Sequence, residues 1–162
     1  MSRNALLMDK AQVKVIIGPV DLNDGANTGA RVDMSKCERV SFICAAGVGT
    51  APSSHTFTFE QHSVASAGSP LALSIGNPYF HCLNSAAAFT KVTPGANASS
   101  YDLDTLVGDN EYVVIFEVLA DQLADGYQWV SINQSDSGGA QLGSVIAVLH
   151  DGVAKPAYGV EV

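Results

Sequence analysis

Hydrophobic positions in this chain fall into short runs with a period near two, separated by small and polar residues. The clearest runs lie in the last third: Tyr112-Val113-Val114-Ile115-Phe116-Glu117-Val118, Tyr127-Gln128-Trp129-Val130-Ser131-Ile132 and Gly143-Ser144-Val145-Ile146-Ala147-Val148-Leu149. β-Branched and aromatic residues at this density predict strands. The stretches between them, 120–126 and 135–142, are small, polar and acidic. Nearer the start, Val13 to Gly18 predicts a first strand, stopped by Gly18-Pro19. Glu38 to Cys44 predicts a firm strand with Val40, Phe42 and Cys44 on one face. His55 to His62 alternates, setting Phe57 and Phe59 against His55, Thr56, Thr58 and Glu60, the signature of a half-buried strand.

Shorter strands are expected at Ala30–Met34, Tyr79–Leu83, Phe89–Thr93 and Tyr101–Leu106. Residues 22–29, 45–54 and 94–100 read as turns and loops, and 63–78 as irregular chain. Helical turns are expected only at Ala120–Asp125 and Ser85–Ala88. Eight to ten strands punctuated by Gly, Pro, Asn and Asp predict an all-β sandwich or barrel, a single domain over residues 13–150. Residues 1–12 and 151–162 fall outside the strand pattern and read as extended arms.

Composition sharpens this picture. A chain of 162 residues is long enough for one domain with a real core. Charged residues are only 15%, against about 25% in ordinary soluble domains, so much surface is small and neutral or is covered by partners. The net charge of −8 is uneven. Residues 1–39 hold six basic and five acidic groups, whereas 40–162 hold Lys91 and Lys155 against eleven acids. An acidic body repels phosphate, which argues against nucleic acid as a partner. No run approaches the roughly 18 apolar residues of a membrane span, and the N-terminal stretch has too short an apolar core for a secretory signal. Cys37, Cys44 and Cys82 are too few, and odd in number, for a disulfide framework. The expectation is a soluble protein made in a reducing cytoplasm.

Candidate chemistry is thin. Asp136-Ser137-Gly138-Gly139 resembles the nucleophile motif of chymotrypsin-like enzymes and His81-Cys82 their histidine motif, with Asp102 or Asp104 between. The chemistry would need His81 to take the Ser137 proton while an Asp orients the imidazole. The departures are Ser135 where that family has Gly, Tyr79-Phe80 where it has small residues, and a short span from His81 to Asp102. The acidic stretch Asp102 to Glu111 has oxygens for calcium but carries Leu106, Val107 and Val113 where an EF-hand needs an oxygen, Gly and Glu. Zinc would need clustered ligands; His81 and Cys82 are strand neighbours pointing to opposite faces. His62 and His150 read as ordinary strand-end residues. No enzyme, metal or cofactor is therefore expected.

The wording of the strands and turns carries more. Val15-Ile16-Ile17-Gly18-Pro19-Val20-Asp21-Leu22, Cys37-Glu38-Arg39-Val40-Ser41-Phe42-Ile43, Phe57-Thr58-Phe59-Glu60-Gln61-His62 and Val118 to Tyr127 are the segments concerned, with Gln141-Leu142-Gly143 leading to the last strand. Over most of residues 13–150 they resemble a family of small tailed-bacteriophage proteins, the head decoration or cement proteins encoded beside the major capsid protein. Relatives often read T-L-x-Q-A where this chain has Phe57 to His62. The resemblance implies a β-sandwich or jelly roll that sits as a homotrimer on the capsid exterior and staples neighbouring major capsid subunits. It implies no active site, no small-molecule substrate, and arms that reach capsid or neighbouring copies. The apolar arm residues Leu6, Leu7, Met8, Val153, Pro156, Tyr158 and Val160 are then the expected contacts. Two other readings stay open: a tail, baseplate or carbohydrate-binding β-sandwich, and a small hydrolase built on His81, Asp102 or Asp104, and Ser137.

Overall fold

A computed structural model describes residues 7, 11–84, 86, 88–95, 98–104 and 107–150. The strands are β1 (Ala11–Asp21), β2 (Asn27–Thr28), β3 (Val32–Asp33), β4 (Arg39–Ala46), β5 (Thr56–His62), β6 (Leu71–Ala72), β7 (Tyr79–Leu83), β8 (Thr90–Val92), β9 (Ser100–Asp102), β10 (Tyr112–Leu119), β11 (Trp129–Gln134) and β12 (Leu142–His150). Single 3-10 turns occupy Met34–Lys36 and Ala120–Gln122. Sheet A has the order β1-β12-β4-β10-β7-β8; in sheet B, β11 and β5 sit between β2 and β6, with β3 on β11 and β9 on β5. All pairings are antiparallel. The chain folds as an all-β sandwich of two packed sheets.

Most connections pass from one sheet to the other, so strands consecutive in sequence rarely pair. The three tail strands show this: β10 and β12 flank β4 in sheet A, while β11 lies in sheet B. The inner layer follows from alternation. Val40, Phe42 and Cys44 of β4 stand in register with Val118, Phe116 and Val114 of β10 and with Leu149, Ala147 and Val145 of β12. Across the sandwich, Phe57 and Phe59 of β5 meet them. Phe116 packs against Phe57 (ring centroids 5.6 Å apart), Phe59 (5.2 Å) and Tyr101 (5.1 Å), and Phe42 against Phe59 (6.0 Å). Tilted and edge-on pairs of this kind favour one arrangement beyond the area they bury.

The structure departs from sequence expectation in several places. The described strands number twelve rather than eight to ten. Segment 63–78 is mostly irregular but contributes β6 and sends Leu73 and Ile75 into the core. Segment 22–29, expected to be turn, carries β2 and buries Leu22. His55 shares the parity of Phe57 and Phe59 and is fully buried rather than on the polar side of β5. Of the expected helical turns, 120–122 is present, whereas Ser85 and Ala87 lie outside the described residues.

Candidate interaction face

The polar residues singled out in the sequence are spent on holding loops together at one end of the sandwich. Ser137 is fully buried; its hydroxyl donates to the Gly139 carbonyl (2.7 Å) and its amide to the Leu22 carbonyl (3.0 Å). Gly139 is obligatory, because a Cβ there would run into the carbonyls of Thr50 and Pro52. Asp104 accepts the His55 amide (2.5 Å), Asp102 the Asp104 amide (3.0 Å) and Asp109 the Ser53 amide (2.9 Å). Each carboxylate thus satisfies a loop amide that would otherwise lack a partner. Gln141 closes the set by donating to the carbonyls of Gly47 (2.5 Å) and Asn110 (3.1 Å).

His81 sits elsewhere, in β7 beside Val114. Among the described residues no hydrogen bond joins it to Ser137, Asp102 or Asp104. Also among the described residues, no group of three or more His, Cys, Asp or Glu side chains is placed to hold a metal ion. Cys37 and Cys44 are buried, and burial pushes both thiols up, Cys37 to about 11. Both therefore stay protonated at neutral pH, without thiolate character.

Two other histidines lie at strand ends with hydroxyl partners. His62 Nε2 is 2.8 Å from Ser131 Oγ, and burial, then the Arg31 charge, lowers its pKa. On the outer side of sheet A, Ser41 Oγ donates to Glu117 (3.1 Å) and stands 2.9 Å from His150 Nε2. Here the serine lies between histidine and carboxylate, the reverse of a catalytic triad, in which the imidazole is central.

The feature left without an internal explanation is the outer surface of sheet A. Register places Val15, Ile146, Ile43, Ile115 and Phe80 side by side in one row across five strands, ending at Lys91 of β8. A second row holds Val13, Val148, Ser41 and Glu117, and a third Ser144, Ala45, Val113 and Cys82. Val15 at 59% and Leu142 at 69% are strongly exposed at its margin. Pro19, Ala45, Val113, Leu142 and Ser144 also line an open cavity of about 310 Å³ at its upper end. Strands about 4.8 Å apart and rows about 7 Å apart give the face a footprint on the order of 500 Å², within which Ile43, Phe80, Ile115 and Ile146 are half-buried and Val148 and Ser41 are buried. Contiguous apolar patches of this size commonly mark interaction sites.

Sequence reasoning placed the contacts in the arms and missed this face. Of those arm residues, Leu7 is described and exposed; Leu6, Met8, Val153, Pro156, Tyr158 and Val160 lie outside the described residues. The signal for the face was present in the sequence. Val113 to Phe116 and Val145 to Leu149 are continuous apolar runs, and such runs belong to strands covered on both sides rather than one.

No helix among the described residues is long and apolar enough to cross a membrane. No protein-family model matches the sequence, and no curated protein matches it. Among solved structures, the chain is similar to the SPBc2 prophage-derived protein YomS, at 14% identity and a TM-score of 0.43 over 85% of this chain and 92% of that one.

Proposed function

We propose that this chain is a non-enzymatic structural protein of a bacteriophage particle, a homotrimer that decorates the capsid exterior and stabilises it by binding across neighbouring major capsid subunits. The observation that carries this reading is the registered apolar outer face of sheet A on a sandwich whose buried polar side chains lock its own loops. A rigid plate with an apolar outer side that no described strand packs against is what a cementing protein needs. The strand and turn wording that resembles head decoration proteins supports the same reading. So does the low charged content of 15%, which suits a surface partly covered by partners. The patch is modest, yet many copies gripping one shell act multivalently, so each contact can be weak.

The test is the solution mass of the purified protein by light scattering, alone and with empty expanded phage heads. A species of three times 16.8 kDa that co-sediments with heads is the expected result. A monomer that ignores heads would overturn the reading in favour of a tail component or another binding module. Removal of residues 1–12 tests the N-terminal arm separately: undiminished head binding would strike that arm from the contact.

A further inference from the structure

β1 and β8 are the two edges of sheet A, and among the described residues no further strand pairs with the open side of either. On β1, residues 12–15 are exposed in succession and face residues 149–146 of β12 without a shift; the bulge comes after Val15. At the other edge Phe89, Thr90 and Lys91 are exposed. An unpaired edge is a template for another strand. We propose that these two edges join copies of this chain head to tail, residues 12–15 of one copy pairing antiparallel with residues 92–89 of the next.

The backbone groups match. Gly47 donates its amide to the Leu142 carbonyl (2.9 Å), which turns the even-numbered residues of β12 to β4 and the odd-numbered ones to β1. Ala147 and Leu149 therefore bond Lys14 and Gln12, and Val13 and Val15 turn their amides and carbonyls to the open side. At the far edge, Asn84 donates to the Glu111 carbonyl (2.9 Å), which turns the odd-numbered residues of β7 to β8. Tyr79 and His81 bond Val92 and Thr90, so Lys91 turns outward, with Phe89 two residues before it. Direction matches too, because six antiparallel strands leave β1 and β8 running oppositely. Val13, Val15 and Lys91 all lie on the outer side, so the joined sheets keep one outer surface.

Side chains choose the register and the partner. With Lys91 opposite Val13, Phe89 (49% exposed) stands opposite Val15 (59%), and an aromatic against a β-branched residue is a favourable cross-strand pair. Lys14 then faces Thr90, and no like charges oppose. A slide toward the bulge would meet Ile16, whose carbonyl already accepts the Ala30 amide (3.1 Å). Pairing of β1 with itself is worse. A two-fold axis at Lys14 sets two ammonium groups face to face, and one at Val13 leaves Val15 to pair with Ala11, which is buried.

Four residues a side bury far less than the roughly 800 Å² of a standard partner surface, so one joint is weak. A head-to-tail contact closes into a ring or runs on as a filament. In a ring of three each copy makes the joint twice, which gives the homotrimer proposed above its interface. Only closure at three rests on that reading; the joint itself rests on the two edges.

The test uses full chains in which Cys82→Ser removes the half-buried native thiol. One carries Val13→Cys and another Lys91→Cys. Opposed residues of a bonded pair lie about 5.5 Å apart, within disulfide reach. Diamide oxidation of an equal mixture is expected to link position 13 to position 91 between molecules, with links between like positions only in traces. Statistical proportions of all three links, or none, overturn the joint. Phe89→Asp added to the Lys91→Cys chain should slow the link about tenfold, the effect of losing one large apolar contact; an unchanged rate also overturns the joint. With both cysteines on one chain the ladder of linked species should stop at three, and a longer ladder overturns the ring. Correct links in a protein that ignores heads would overturn the capsid reading alone. Head-bound trimers that lack the link would overturn the joint alone.

Discussion

On sheet B the residues Ser100, Thr58, Asn133 and Thr28 stand side by side across the outer surface; on sheet A the comparable strip is Val15, Ile146, Ile43, Ile115 and Phe80. Both sheets are antiparallel, and both bury Phe and Val inward. On sheet B the outward positions also bond among themselves: Asn133 donates to Glu60 (2.9 Å), and His62 pairs with Ser131 (2.8 Å). His62 and Ser131 are themselves buried and Thr58, Glu60 and Asn133 half-buried, so this side of sheet B satisfies its polar groups within the sheet. Among the described residues the polar groups on the outer side of sheet A are Ser41, Glu117, His150 and Arg39 toward one end, Ser144 toward the other and Lys91 at the edge, around an apolar central row. An apolar outer face is a standing association hazard, and under the function proposed above it is the side that meets the capsid.

The largest expected effect is on what the two sheets share. Phe116 touches Phe57, Phe59, Tyr79 and Tyr101 and so spans the seam. Phe116→Ala should cost about 3–5 kcal/mol, in the range for truncating a buried aromatic. Urea unfolding followed by Trp129 fluorescence reads it. A loss under about 1 kcal/mol, the scale of surface substitutions, would mean that the seam does not hold the sheets together.

Next comes the interlocked loop end. Gly139→Ala puts a methyl group against two carbonyls from segment 47–55, and overpacking of this kind costs roughly 1–3 kcal/mol. The urea midpoint should fall with no change in the behaviour of either outer face. If Gly139→Ala folds as stably as the parent, segment 135–141 is not locked as described.

The sharpest test of the comparison makes one substitution on both sides. Ile115→Glu and Thr58→Glu each place a carboxylate at mid-strand on an outer face. Each should shift stability by about 1 kcal/mol or less. Head binding should fall at least tenfold for Ile115→Glu, because a charge would be desolvated against apolar neighbours, and should hold for Thr58→Glu. Equal losses from both would erase the distinction between the faces.

How far the sequence revealed this difference depends on the kind of signal. β7 is found where Tyr79–Leu83 predicts it, and β4, β5, β10 and β12 lie within a few residues of expectation, because alternation and β-branched content are local. Leu73, Ile75 and Leu22 were missed as core residues, since each enters the interior from a segment with no periodicity of its own. The outer row of sheet A was missed for another reason. Ile43, Ile115 and Ile146 are far apart in sequence, and only register brings them together. Ser137 was legible as a loop residue, because a Ser/Gly-rich stretch between strands more often bonds its own backbone than a substrate; Asp104 was not, since it fell within the strand expected at Tyr101–Leu106, whereas β9 ends at Asp102.

The smallest expected effect separates the sandwich interior from the polar face of sheet B through pH. His55 is fully buried near Tyr112 and Gln134. Burial lowers its pKa, opposed by the Gly108 carbonyl, Asp104, Gln141 and Asp109. His62 is also lowered, by burial and then by Arg31, with Glu60 opposing. In the unfolded chain both regain ordinary values near about 6.5. Above that pH both states are neutral and stability is full. As pH falls through it, the unfolded chain binds protons that the folded chain refuses, so stability drops. The urea midpoint should therefore decline between about pH 7 and pH 5. Replacement of either histidine by Gln should flatten that decline, His55→Gln more than His62→Gln because His55 is the more deeply buried. A decline left unchanged by His55→Gln would show that the cost of acid lies outside the sandwich interior.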